Sequence, residues 1–353
     1  MGLSRASMRG SFDPRTRERL RAFIGARCGC GDVRIVALGR LGGGAIQQNY
    51  ALDVEVPEGG FAGFQPLVLR SDAPARLAAS LDRAEEFAVL ETVYAAGVKV
   101  PEPLWLCADD TVLGRPFYVM RRVTGRAAGH LLVRDPELDA HGDELVERLG
   151  AELARIHALR PPQPRLDFLA LPAAADARDR IRTYRSYLDM LPEPQPEIEW
   201  GLTWLEQHAP PPVAPVLCHR DYRSGNYLVD GDRPSAILDW EFTAWGDPAE
   251  DLGWFCARCW RFGRDEREAG GIGAREAFHR GYREVAGSLP DSYRLRYWEV
   301  MAALRWAVIA LLQAERHCSG AEPSLELALT GHLVPELTLE ALEGIESLSE
   351  VAA

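Results

Sequence analysis

The first twenty residues, MGLSRASMRGSFDPRTRERL, lack the apolar core that a secretory leader needs, so no export signal is expected there. The start also misses the myristoylation pattern, because Ala6 stands where Ser or Thr is required. No apolar run is long enough to span a bilayer. The longest, MAALRWAVIALL (301–312), is short and carries Arg305, which predicts a buried helix instead. Seven cysteines form an odd set with no regular framework, and CARC (256–259) is the lone CxxC. A zinc site would need two further ligands at fitting spacing, so buried free thiols in a reducing, cytoplasmic setting are expected. Positive charge is outnumbered, 40 Lys and Arg against 52 Asp and Glu, for a net charge of −12. That balance argues against nucleic acid or an anionic membrane surface as a partner. No internal repeat is present.

What is there is an ordinary globular composition over 353 residues, 47% hydrophobic and 26% charged, enough for two domains or one bilobal unit. Strand-like runs at VRIVAL, NYALDVEV and PLVLR predict a small antiparallel sheet over 33–70. Residues 77–97 have helical spacing at Leu77, Leu81, Phe87, Leu90 and Tyr94, with Gly97 as a stop. Strands return over 100–123 around an ADD turn. The expected division is an N-terminal lobe of sheet plus one helix over 1–120, then a helical lobe over 121–353. In the second part, 143–159 places Leu145, Leu149, Leu153 and Ile156 on one stripe, and 297–316 reads as a long helix.

The stretch CHRDYRSGNYLVDGDRPSAILDWEF (218–242) interrupts apolar strands with a His, several Asp and an Asn. NYLV and SAIL flank DGDRP, which predicts a hairpin centred near Asp232 and Arg233. That centre sets Leu228 against Ile237 and Asn226 against Asp239, so two oxygen-bearing side chains meet at the open end of the hairpin. HRDYRSGN (219–226) fits the kinase catalytic-loop pattern H-R-D-x-x-x-x-N at every specified position. Such chemistry needs an Asp to take the proton of the attacking hydroxyl, an Asn on magnesium, and a second metal-binding Asp on the neighbouring strand.

Residues 216–254, from VLCHRD to WGDPAEDLGW, resemble the aminoglycoside phosphotransferase family, relatives of choline kinases and protein kinases. Within it the chain is similar to a branch of general phosphotransferase-family proteins, some near the kinase-like domain fused to acyl-CoA dehydrogenases. The resemblance runs from about residue 34 to 330 and is looser before residue 120. LGRLGGGAIQQNYALDV (38–54) resembles the family's nucleotide loop, RAEEFAVL (83–90) its helix Glu motif, and GRPFYVMRRVTG (114–125) the strand leading to the hinge.

The resemblance implies a protein-kinase-like bilobal α+β fold that binds ATP and Mg2+. Asp221 would be the catalytic base and His219 would orient the loop, with Asn226 and Asp239 as metal ligands. Gly42, Gly43 and Gly44 would bring backbone N–H groups to the phosphates, and Arg121 to Val123 would offer backbone contacts to adenine. Glu86 would pair with the cation on the strand PLVLR. The sequence departs from the family there, with Arg70 in place of the usual Lys. Arg forks bidentately where Lys acts as a point charge.

Two function classes follow. One is an ATP-dependent kinase acting on a hydroxyl of an aminoglycoside-, amino alcohol- or sugar-like small molecule. The other is a nucleotide-binding pseudokinase or regulatory module, for which Arg70 is the sole hint. A metal-dependent hydrolase lacks the ligand clusters it would need. Asp247, Glu250 and Asp251 read as helix-start caps and structural acids. Glu250 and Glu299 near the pocket predict a neutral or cationic substrate.

Overall fold

The computed structural model describes residues 12–41, 47–72 and 80–352, beginning with helix α1 (Pro14–Cys28). Strands β1 (Arg34–Arg40), β2 (Gln47–Val56) and β3 (Gly63–Asp72) follow, then α2 (Arg83–Ala95), β4 (Pro103–Cys107), the single turn α3 (Asp110–Leu113) and β5 (Phe117–Arg121). These strands form one antiparallel sheet in the order β1-β2-β3-β5-β4. Two short turns, α4 (Gly129–Leu132) and α5 (Pro136–Asp139), lead to α6 (Gly142–His157), α7 (Ala177–Leu188) and α8 (Pro196–Gln207). Then β6 (Val216–Cys218), β7 (Tyr227–Asp230), β8 (Arg233–Ile237) and β9 (Ala244–Gly246) pair as two small ribbons, β6 with β9 and β7 with β8. Helices α9 (Pro248–Cys256), α10 (Arg275–Ala286), α11 (Ser292–Cys318), α12 (Leu325–Gly331) and α13 (Val334–Ala352) complete the chain. A small antiparallel sheet beside a larger helical part is the α+β arrangement expected. None of the described helices is long and apolar enough to cross a membrane.

Helix α1 is an addition to the expected strands, one helix, then strands. Asp13 caps it by accepting from the N–H groups of Arg15 and Thr16, Pro14 occupies its first turn, and Gly29 closes it at φ 68°. Leu20 and Ile24 are fully buried, but Arg15, Arg17, Arg19, Arg21 and Arg27 of the same helix hide the stripe in the sequence. Helix α2 starts at Arg83 rather than in the stretch that begins at Leu77, which lies outside the described residues. Asp82 and Glu85 form a reciprocal capping box that fixes the start.

Strand alternation decides which way the nucleotide-side residues point. On β3, Leu67 and Leu69 pack in one core with α1, while Val68 faces the other core with Phe87 and Leu90 of α2. Arg70, two residues on, shares the α2 side with Val68 and pairs in register with Tyr118.

The hairpin register differs from the expected one by a residue at its open end. Asp230 opposes Arg233, Val229 opposes Pro234, and a bulge then makes Leu228 oppose Ala236 and Tyr227 oppose Ile237. Ser235 is the extra residue, next to a proline that has no N–H to donate. Asn226 therefore meets Leu238 through a 2.8 Å backbone bond, and Asp239 lies one step beyond the pairing at φ 66°.

The segment after β5 is pinned to this hairpin. Arg126 and Val229 exchange backbone bonds of 2.9 Å in both directions. Gly125, at φ 143°, has room only for a hydrogen, since a Cβ there would meet Leu228 Cβ at 2.9 Å and Val229 O at 3.0 Å. All seven cysteines are free; five are buried, Cys259 is half-buried and Cys318 is exposed. Cys256 ends α9 and Cys259 lies in the following 3-10 turn, so CARC is only partly α-helical.

Helices α6 and α10 cross at glycines. A Cβ on Gly150 would fall 2.1 Å from Phe278 O, and one on Gly281 would fall 1.8 Å from Glu147 O. The obstacles are backbone atoms, which cannot swing aside. Gly281→Ala is therefore expected to destabilise the fold by about 1–3 kcal/mol despite a better helix propensity. A denaturation midpoint equal to or above wild type would contradict this crossing.

Candidate active site

The loop between β6 and β7 carries His219, Asp221 and Asn226, and α9 holds it from below. Asp251 accepts the His219 N–H on Oδ2 and the Arg220 N–H on Oδ1, both at 2.7 Å. That grip stabilises Arg220 at φ 63°, a left-handed conformation that costs a non-glycine residue on the order of 1–2 kcal/mol. Asp251 is fully buried and also bonds His157 Nε2 at 3.0 Å. Burial raises its pKa, but His157 and His219 outweigh that and hold the carboxyl below its ordinary value. Asp247 caps α9 and pairs with Arg294, and Glu250 pairs with Arg220 at 3.3 Å. These three acids are caps and structural acids, as expected.

Asp221 receives three side-chain donors. Trp254 Nε1 donates to Oδ1 at 3.0 Å, Arg223 Nε to Oδ1 at 3.0 Å, and Asn226 Nδ2 to Oδ2 at 2.5 Å. Arg223 in turn stacks 4.3 Å over the Trp260 ring. The carboxylate is thereby oriented rather than free to rotate. The Asn226 amide nitrogen is committed to Asp221, which leaves its carbonyl oxygen available for another partner.

On the opposite wall, Arg70 is buried between two acids. Its Nη2 lies 2.8 Å from Glu86 Oε1 and 2.6 Å from Asp239 Oδ1, and its Nε donates to Glu86 Oε2 at 3.1 Å. Glu86 also pairs with Arg83, which reaches Asp72 at 2.8 Å. Partial burial raises the Asp239 pKa, but Arg70, Arg223 and His219 hold it below the ordinary carboxylate value. Burial depresses Arg70, yet Glu86, Tyr118 and Asp239 lift it well above its usual value. Both groups are charged at neutral pH.

The structure thus brings Arg70, Glu86 and Asp239 into one ionic group, and Asp221 and Asn226 into another beside it. Gly42, Gly43 and Gly44 lie outside the described residues. Arg121 is less available than expected, because its N–H bonds Glu102 O at 2.9 Å and its side chain bonds Glu102 and Gln65. Among the described residues no backbone bond engages Val123, which leaves its peptide groups open. Trp254, Arg223 and Arg83 escaped the sequence reading. Trp254 sits three residues after Asp251 on α9, and Arg83 three before Glu86 on α2, so helical spacing was the available clue.

His157, Cys218 and Asp251 also have donor atoms within 4.8 Å of one another. Their capacity is spent elsewhere: Cys218 Sγ contacts Asp247 O, and His157 Nδ1 bonds the Tyr282 hydroxyl. Burial pushes the Cys218 thiol well above its ordinary pKa, which opposes the thiolate a metal requires.

Residues 38–287 match the sequence model of the phosphotransferase enzyme family, well over half of the chain, and the chain belongs to that family. It is 30% identical over 200 residues to acyl-CoA dehydrogenase family member 11 of Homo sapiens, covering 55% of this chain and 25% of that protein. It is 28% identical over 197 residues to acyl-CoA dehydrogenase family member 10 of Mus musculus, covering 54% and 18%. The matched region is thus a quarter or less of these curated relatives. Among solved structures, a Ralstonia eutropha protein provisionally assigned as an aminoglycoside phosphotransferase superposes with a TM-score of 0.73 at 20% identity, covering 96% of this chain and 99% of that one. A spectinomycin phosphotransferase in complex with ADP and spectinomycin gives 0.62 at 13% identity, covering 93% and 98%. The fold is that of the kinase-like phosphotransferases.

His219 gives the loop a pH dependence. It is fully buried; its Nε2 lies 2.9 Å from Leu238 O and its Nδ1 accepts the Asp221 N–H at 3.2 Å, which assigns a neutral ring with the proton on Nε2. Burial lowers its pKa against the pull of Asp251 and Asp221. A folded-state value below the unfolded one stabilises the fold above the unfolded value, and that stability is lost as pH falls toward the folded value. Thermal stability is expected to drop as pH falls below about 6.5, with a shallower drop in His219→Gln. Melting temperatures that do not change from pH 7.5 to 5 would refute this.

Proposed function

We propose that the protein is a magnesium- and ATP-dependent small-molecule kinase that transfers the γ-phosphoryl group to a substrate hydroxyl. The observation that carries the proposal is the Arg70 guanidinium locked to Glu86 by two contacts, beside the Asp221 loop. A strand cation locked to a helix glutamate is what phosphoryl-transfer sites of this type require to seat the phosphates. Arg70 takes the role of the usual lysine, with Glu86 fixing its orientation.

In this reading the acceptor oxygen bonds to the γ-phosphorus, its proton passes to Asp221, and the bond to the β-phosphate oxygen breaks to leave ADP. The three donors on Asp221 aim its carboxylate at that proton. Asn226 and Asp239 offer hard oxygen donors of the kind magnesium takes, one an amide carbonyl whose nitrogen is already bonded and one an ionised carboxylate. Bound there, the ion would neutralise charge on the phosphates. Gly42 to Gly44 would cover the phosphates and Val123 would meet the adenine edge. The seven free thiols favour a reducing, cytoplasmic setting.

The expectation of a neutral or cationic acceptor rested on Glu250 and Glu299. Both are already paired, Glu250 with Arg220 at 3.3 Å and Glu299 with Arg275 at 2.7 Å, so they no longer favour a cation. A nucleotide-binding module with little transfer draws support from the direct Arg70–Asp239 bond, which occupies a metal-facing oxygen.

Asp221→Asn is expected to lower turnover by roughly 10²-fold or more while Mg·ATP affinity stays near wild type. Asp239→Ala should weaken Mg·ATP binding itself. Arg70→Ala should raise the KM for ATP and cut turnover, and Arg70→Lys should keep part of the activity. The measurement is ATP turnover against a panel of alcohols. Nucleotide binding with no alcohol-stimulated turnover, unchanged in Arg70→Ala, would decide for the binding module.

A further inference from the structure

Arg305 is an arginine set within the apolar face of α11, and its surroundings do not compensate it. Among the described residues it forms no ion pair. Its guanidinium stacks 4.0 Å over the Trp254 ring, and its Nη1 is shielded from solvent without a hydrogen-bond partner. Arg180 on α7 faces the same space. Its bond to Thr183 Oγ1, at 3.1 Å, stays within its own helix, and its Nε is likewise shielded and unpartnered. Tyr184, one turn along α7, lies within the field of both arginines.

The acids nearby are too few to balance these cations. Glu250 is the carboxylate that acts on Arg180; its Oε2 pairs with Arg220 while its Oε1 is shielded without a hydrogen-bond partner, leaving three guanidiniums around one carboxylate. Asp251 acts on Arg220, but its oxygens hold the loop backbone and His157. Asp176 and Asp179 line an adjoining cavity with Arg180 and bond Arg178 and Arg182 of their own helix. Glu340 of α13, on the Cys259 side of Arg305, accepts from the Arg258 N–H. Burial and the neighbouring Arg220 push Arg180 below its ordinary pKa, the mark of a cation short of a counter-charge.

Shielded guanidinium N–H groups without partners are costly unless something else supplies the acceptor. The position of this excess charge is informative. Trp254 donates its N–H to Asp221 and offers its face to Arg305, so a single indole separates the acceptor-side carboxylate from the unpaired cation. We propose that Arg305 and Arg180 bind an oxyanion on the acceptor, so that the substrate is an alcohol that also bears a carboxylate or a phosphate ester. Its hydroxyl lies at Asp221 and its anionic end at the two arginines, with the buried Trp254 ring forming the wall between them rather than a surface the substrate covers. Arg is suited to this because its planar fork matches either oxyanion with paired hydrogen bonds. The inference names the acceptor class for the proposed kinase and rests on that reading for the role of the hydroxyl.

The test is titration calorimetry on the full chain with Mg2+ and a non-hydrolysable ATP analogue. The probes are hydroxycarboxylates of three to six carbons, phosphate monoesters of matching diols, and the corresponding hydroxyamides and amino alcohols. At least one anionic series is expected to bind tenfold or more tightly than its amide and amine counterparts. Which series wins distinguishes carboxylate from phosphate. Arg305→Gln and Arg180→Gln should each erase that preference, and Arg305→Lys, which keeps the charge, should restore part of it. Equal binding across charge types, preference for the amines, no binding of any oxyanion, or unchanged selectivity in both Gln variants would overturn the assignment. Phosphoryl transfer is scored separately by ADP formation with ATP. Anion-selective binding without any transfer would sink the kinase reading and still support the subsite.

Discussion

Burying a charge is tolerable only if its counter-charges are built into the same place, and Arg70 sets that requirement for much of this structure. Its side chain is 6% exposed and touches carboxylates from two other elements, Glu86 on α2 and Asp239 beyond β8. Glu86 then serves Arg83, and Arg83 serves Asp72 at the end of β3. The group ties together the sheet, the helix across its face and the catalytic hairpin. Displacing any of them would leave a buried ion unpaired, so α2 has little freedom to slide along the sheet. The fork of an arginine is what allows one residue to reach both acids, since Nε and Nη2 address Glu86 while Nη2 also meets Asp239. A lysine would present one nitrogen to the same pair. Lys99 is the sole lysine in the sequence, so arginine at position 70 follows a habit of the whole chain rather than a local loss.

A second constraint acts from the helical side. Arg220 and Asp239 both hold positive φ, at 63° and 66°, and they bracket the loop and the hairpin exit where the polar groups gather. Such conformations persist when surrounding bonds over-determine them. Asp251 does this for Arg220 through the backbone, and Arg70 does it for Asp239 through the side chain. The two walls of the cleft are thus each fixed by a buried acid–base contact, one anchored in α9 and one in the sheet.

This division explains what was legible beforehand. HRDYRSGN declares itself because its chemistry is packed into eight consecutive residues, and the strands of the sheet declare themselves by alternation. The expected hairpin pairing is a residue out at its mouth because the turn centres on Gly231 and Asp232 rather than on Asp232 and Arg233, and the bulge at Ser235 recovers only one of the two residues of that offset. Helix α1 was hidden because every second residue from Arg15 to Arg21 is an arginine, blurring the apolar spacing that leads to Leu20 and Ile24. The charge of the pocket was misjudged for a different reason. Glu250 and Glu299 look like free acids in the chain, and only tertiary packing reveals Arg220 and Arg275 against them. Counter-ions that come from other elements carry no sequence spacing.

Net charge and local charge act over different distances in this protein. A total of −12 describes what solvent and distant partners meet, where screening erases interactions beyond about 10 Å. Inside the helical part, few carboxylates face Arg180, Arg220 and Arg305, and the one between them, Glu250, serves more than one guanidinium. There the dielectric is low and each unpaired guanidinium acts strongly over short range. An acidic protein can therefore present a cationic interior to a small molecule without contradiction. The choice of acceptor is governed by the two or three charges the fold leaves uncompensated beside Asp221, not by the sum over the chain.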